Sequence, residues 1–83
     1  MNKYLIIFEK TKRGYSAYSP DLPGCVSVGK TISETELNMK EAIEFHIEGL
    51  IEEGYEIPKP AIRHAEFINL PKTKKIKKEL TLA

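Results

Sequence analysis

The sequence is short of most of what a small protein uses to do chemistry or to staple itself together. It has a single cysteine among 83 residues, so no disulfide can form within the chain. It contains no run of apolar residues long enough to span a bilayer and no stretch that reads as a secretory leader. Together with the lone cysteine, these absences point to the cytoplasm. Glycines are few, and Gly24 and Gly29 are too sparse for a phosphate-cradling loop. Metal-ligating side chains are equally scarce. Cys25, Asp21, His46 and His64 follow no ligand spacing, so no metal site and no cofactor is expected. Two-metal hydrolysis needs several acids at strand ends, and the strand-like segments offer only Glu9, with Asp21 in a turn.

Net charge is nearly absent too, at +1, but its distribution is uneven. From residue 72 onward, Lys72, Lys74, Lys75, Lys77 and Lys78 face only Glu79, a net +4. The other 71 residues hold eight basic and eleven acidic groups, a net −3. We therefore divide the chain into a domain over 1–71 and a basic tail over 72–83. The tail lysines are candidate nucleic-acid contacts. Five of them neutralise at most a few phosphates, giving weak, salt-sensitive binding without sequence recognition. The tail carries spaced apolar residues and reads either as disordered or as a short helix formed on a partner.

Residues 33–53 are what the chain does have in abundance: helical periodicity. At about 100° per residue, Thr35, Met39, Ala42, Ile43, His46, Ile47 and Leu50 share one face. Glu34, Glu41, Glu44, Glu48 and Glu52 occupy the other. Ser33 reads as N-cap with Glu36 closing a capping box, and Ile32 and Leu37 as a hydrophobic staple. Gly54 reads as the left-handed stop, with Tyr55 reaching back to Leu50.

Strand signals surround this helix. Residues 3–10 alternate apolar side chains on both faces, which predicts a central strand buried on both sides. A polar hairpin loop, Lys10 to Gly14, leads to a second strand over 14–19, and residues 25–29 form a third. Pro58 and Pro60 stiffen the segment after the helix. Ala65 to Leu70 reads as a fourth strand, ended by Pro71. The expected fold is α+β in the order βββαβ: an antiparallel sheet, a fourth strand parallel to the first, and one helix on one face. A single helix covers a single face. The exposed underside would remain apolar, predicting a homo-oligomer, dimer or tetramer, or a protein partner.

The run Pro20-Asp21-Leu22-Pro23-Gly24-Cys25 is distinctive, and we expect Asp21 to fix this turn through its own side chain. Thr31 follows, then Asn38-Met39-Lys40-Glu41-Ala42 in the helix, then Gly54-Tyr55-Glu56-Ile57-Pro58-Lys59-Pro60. In this order and spacing, over about residues 3–70, the set resembles the HicB-like antitoxin family. The resemblance implies a partial ribonuclease-H-like domain without a working nuclease site. It implies as partner a HicA-like toxin, a small basic protein that cleaves mRNA using a histidine, which the antitoxin binds and occludes. Many members carry a C-terminal DNA-binding segment. Only 13 residues follow Leu70 here, too few for a helix-turn-helix.

Three function classes then compete. A non-catalytic binding module would use the acidic helix face, with Glu41, Glu44 and Glu48 as its partner-binding residues. A small oligomeric nucleic-acid-binding or transcription regulator would use the basic tail. A hydrolase would need acids that are missing. A nucleophile at Cys25 paired with His46 or His64 is disfavoured against a packed cysteine and a histidine on the helix's apolar face.

Overall fold

The computed structural model describes residues 3–71. Three short strands, β1 (Ile7–Lys10), β2 (Tyr15–Tyr18) and β3 (Val26–Gly29), are followed by one long helix, α1 (Ile32–Glu52). The strands form an antiparallel sheet in the order β1-β2-β3. β1, expected at the centre, is therefore an edge strand, and β2 is central. Apolar residues on both sides of a strand report burial, not which neighbours it pairs with.

The β1–β2 hairpin closes through its polar loop. The Thr11 N–H donates to the Gly14 carbonyl (2.9 Å), and the Gly14 N–H donates to Thr11 Oγ1 (3.1 Å). Across the first ladder pair, Lys10 Nζ lies 4.9 Å from the Tyr15 ring centroid, close enough for a cation–π contact.

Cross-strand partners share a face, so the ladder assigns both surfaces of the sheet. Phe8 and Ala17 are partnered and both pack towards α1 around the buried Met39. Ile7, Tyr18 and Val26 form a row on the opposite face, and Val28 stands beside Ser16 and Glu9 on that same side. Val26 and Val28 are each 66% exposed. The uncovered face is thus an apolar row flanked by polar residues.

α1 begins at an N-cap two residues earlier than expected. Thr31 has an extended backbone (φ −126°, ψ 164°), and its Oγ1 accepts from the Glu34 N–H at 3.0 Å. Its carbonyl accepts from both the Thr35 N–H (2.9 Å) and the Thr35 hydroxyl (2.7 Å). Thr31-x-x-Glu34 is itself a capping-box pattern, and Thr35 is fully buried. The staple positions then fall on Lys30 and Thr35. Ile32 and Leu37 stay exposed, so the expected staple is not made.

The C-terminal end follows the expected arrangement. Gly54 is left-handed (φ +77°), its N–H donates to the Ile51 carbonyl, and the Tyr55 N–H donates to Leu50. A side chain at Gly54 would be strained in this conformation.

The helix face is as the periodicity predicts, but its burial fades. Thr35 and Met39 are buried, whereas Ala42, Ile43, His46, Ile47 and Leu50 are half-buried. Length explains this. A 21-residue helix runs about 32 Å, while four-residue strands run about 13 Å. The C-terminal half of α1 outruns the sheet.

The expected fourth strand is not paired among the described residues. Ala65 to Leu70 form no ladder. Every residue from Arg63 to Pro71 is exposed, with Phe67 at 102%, Ile68 at 77% and Leu70 at 58%. β propensity supplies a segment that fits a sheet, but the strand exists only once an edge accepts it.

Candidate functional site

The most distinctive motif builds the core. After β2 the chain turns at Pro20 to Gly24. The Leu22 N–H donates to the Ser19 carbonyl (3.1 Å) and the Cys25 N–H to the Leu22 carbonyl (3.1 Å). Pro20 and Pro23 restrict the backbone on either side, and Gly24 takes the left-handed conformation at φ +83° that a side chain would resist. The result drives Leu22 into the core with Ala17, Cys25 and Met39, where it is 0% exposed.

Asp21, expected to fix its own turn through its side chain, reaches out of it instead, and backbone bonds close the turn. Its Oδ2 accepts from the Ala61 N–H (3.1 Å) and the Ile62 N–H (3.4 Å). One carboxylate oxygen therefore ties the loop before β3 to the segment that follows α1. The Tyr4 hydroxyl donates to the Pro58 carbonyl of the same segment, fastening it a second time. The proline pair and the two tethers hold residues 57–62 against the body. Asp21→Ala should lower stability by about 1 kcal/mol, as both bonds use a partly exposed carboxylate. The melting temperature should fall by roughly 4–8 °C. Calorimetry giving an unshifted transition would show that the tether is dispensable.

Cys25 and His46 come together on one side of the molecule. They line an open groove of about 520 Å³ between the start of β3 and the overhanging half of α1. Phe45, Gly49, Leu50 and Tyr55 line it too, with Glu52 and Glu53 also on its wall. Burial pushes the Cys25 thiol's pKa up, which disfavours the thiolate a nucleophile requires. His64 stands elsewhere, its Nε2 2.9 Å from Glu66 Oε1 on the exposed segment, so it does not join the cysteine. Among the described residues, no three His, Cys, Asp or Glu side chains are grouped to hold a metal ion.

Glu41, Glu44 and Glu48 are exposed along the outer face of α1, with Glu34 and Glu52 beyond them. Phe45 is 79% exposed on the flank of this ridge, an apolar patch among acids that helical periodicity alone did not single out. Its i−4 and i+3 neighbours are Glu41 and Glu48, the spacing that puts residues side by side on a helix. No described helix is long and apolar enough to cross a membrane. The tail lysines Lys72, Lys74, Lys75, Lys77 and Lys78 lie outside the described residues.

Residues 4–76 match the family model described as the HicB-like antitoxin of bacterial toxin–antitoxin systems. The chain belongs to the HicB-like antitoxin family. Among curated relatives, an uncharacterised 14.9 kDa protein of Haemophilus phage HP1 is 49% identical over 71 residues. That match takes 86% of this chain but only 53% of the phage protein, so this HicB-like chain spans about half of that relative's length. A UPF0150 protein of Thermoplasma acidophilum is 43% identical over 58 residues, 69% of this chain and 84% of that protein.

Among solved structures, the fold is similar to a chain of a HicA3–HicB3 toxin–antitoxin complex, with a TM-score of 0.65 and 38% identity. The match covers 72% of this HicB-like chain and 70% of the other. The Burkholderia pseudomallei antitoxin HicB shares the fold at a TM-score of 0.63 and 23% identity, over 99% of this chain and 83% of that one.

Proposed function

We propose that this chain is a non-catalytic antitoxin of a type II toxin–antitoxin pair, and that it binds and occludes a HicA-like, mRNA-cleaving toxin. The observation that carries the reading is its likeness, at 38% identity, to a chain of a toxin–antitoxin complex. The surface supports it. Glu41, Glu44 and Glu48 present a row of exposed acids to a toxin that the family resemblance implies is basic. Phe45 and the adjoining groove supply an apolar anchor beside those charges, and interfaces concentrate binding energy in such anchors. The domain over 1–71 reads as a partial ribonuclease-H-like unit, and 72–83 as its basic tail. The open face of the sheet, with Val26 and Val28 exposed, favours an antitoxin working as a homo-oligomer.

Co-expression tests this. A small basic toxin encoded beside this chain should arrest growth alone and be neutralised when the antitoxin is present, with both proteins purifying together. Growth arrest that persists at equal expression, with no complex recovered, would overturn the reading.

A further inference from the structure

We propose that two copies of this chain exchange their 65–70 segments, each lending that segment as a strand to the free edge of the other's β1. The inference rests on the oligomeric part of the reading above and supplies the way in which the copies join.

Donor and acceptor are present on every copy, and neither is paired among the described residues. The donor is Ala65 to Leu70. Alternation puts Glu66, Ile68 and Leu70 on one side of the segment and Ala65, Phe67 and Asn69 on the other. All three large apolar residues are exposed. The acceptor is β1, whose outer edge has no strand beside it in the sheet order β1-β2-β3. An open edge presents unpaired N–H and C=O groups that bind an extended segment.

The route of the chain selects a second copy over its own body. Asp21 and Tyr4 hold residues 58–62 in place. Ile62 to Ala65 then pass beside Lys3 to Leu5, with which they line a shallow cleft of about 330 Å³. The segment is thus delivered to the β1 side of the molecule. It does not continue along its own Ile7–Lys10: Phe67 is 102% exposed, and no ladder bond joins the two. From Ala65 to Pro71 every residue is exposed. A two-fold axis beside β1 would place each donor on the other copy's edge. Both vacancies are then filled in a closed assembly with no edge left to propagate from that side. The added strand would turn Ile68 and Leu70 to one face of the sheet and Phe67 to the other, matching β1, which carries Phe8 on the core face and Ile7 on the open face.

Ile68→Pro tests the exchange, because proline removes a ladder donor in a segment whose every residue is exposed. In light scattering at micromolar concentration, the 83-residue chain should have twice its 9.5 kDa mass. Ile68→Pro should have one chain mass, with the helical signal of α1 in the circular-dichroism spectrum retained. In a 1:1 mixture of 13C-labelled and unlabelled protein, isotope-filtered spectra should show contacts between copies, from Phe67 and Ile68 to Ile7 and Phe8. Val28→Lys, which alters the open face but not the edge, should leave the dimer intact. A dimer that survives Ile68→Pro but is broken by Val28→Lys would overturn the exchange and assign the interface to the sheet face. Contacts found only within one chain would overturn it in favour of an intramolecular fourth strand. A monomeric wild type would overturn both the exchange and the oligomeric reading, while leaving toxin neutralisation to be decided by co-expression.

Discussion

Leu22→Ala is expected to lower the stability of the domain by about 3 kcal/mol, within the range for deleting a fully buried leucine side chain. Leu22 is 0% exposed and packs in the cluster that joins sheet and helix, with Ala17, Cys25 and Met39. The pocket it leaves is poorly placed to collapse. Pro20 and Pro23 stiffen the turn that carries it, and Gly24 holds a left-handed conformation. For a domain of this size the loss corresponds to a melting temperature lower by roughly 12–24 °C. Because an 83-residue chain has a thin stability margin, a sizeable unfolded fraction at growth temperature is the practical consequence. Calorimetry of wild type and variant under identical conditions checks this. A shift of less than about 5 °C would mean that the turn is a surface ornament rather than a wedge in the core.

Glu41→Lys, Glu44→Lys and Glu48→Lys made together should slow association with a basic toxin at least tenfold at low ionic strength, on the order expected for lost electrostatic steering. Three reversals change the charge of one helix face by six. The acids are exposed and contribute little to folding, so the melting temperature should move by only a few degrees. The salt dependence discriminates. Wild-type association should slow as salt rises, because the Debye length shortens to about 8 Å at physiological ionic strength. The variant's dependence should flatten or reverse in sign. Stopped-flow traces that superimpose for the two proteins would remove this face from the encounter surface. Replacing Phe45 alone should instead act mainly on dissociation, where a packed anchor exerts its effect.

The sequence made the helix plain, because seven residues at helical spacing can satisfy only one geometry. It did not make the cap plain. Thr31-x-x-Glu34 and Ser33-x-x-Glu36 are equally good patterns, and the extended backbone at Thr31 together with the buried Thr35 hydroxyl decides between them. β1 was recognisable as a strand but not as an edge, since position in a sheet depends on pairing order rather than on side-chain alternation. The same limit applies to Ala65–Leu70, where a strand-forming composition is visible and the accepting edge is not. Asp21 was recognisable as a turn residue. Its bonds to Ala61 and Ile62, forty residues away, leave no local trace. The acidic row was readable from spacing alone, whereas the groove beside it exists only because α1 is longer than the strands it covers, a mismatch of tertiary origin.

Some of the residues that make this chain recognisable are among its least accessible. Leu22 and Cys25 are shut inside, and Asp21 is committed to an internal tether. Their pattern marks a shared framework and carries no information about a partner. If the chain pairs with a toxin as proposed, discrimination between cognate and foreign partners would fall to the outer helix and its groove. Those surfaces can drift to avoid crosstalk without disturbing the framework beneath.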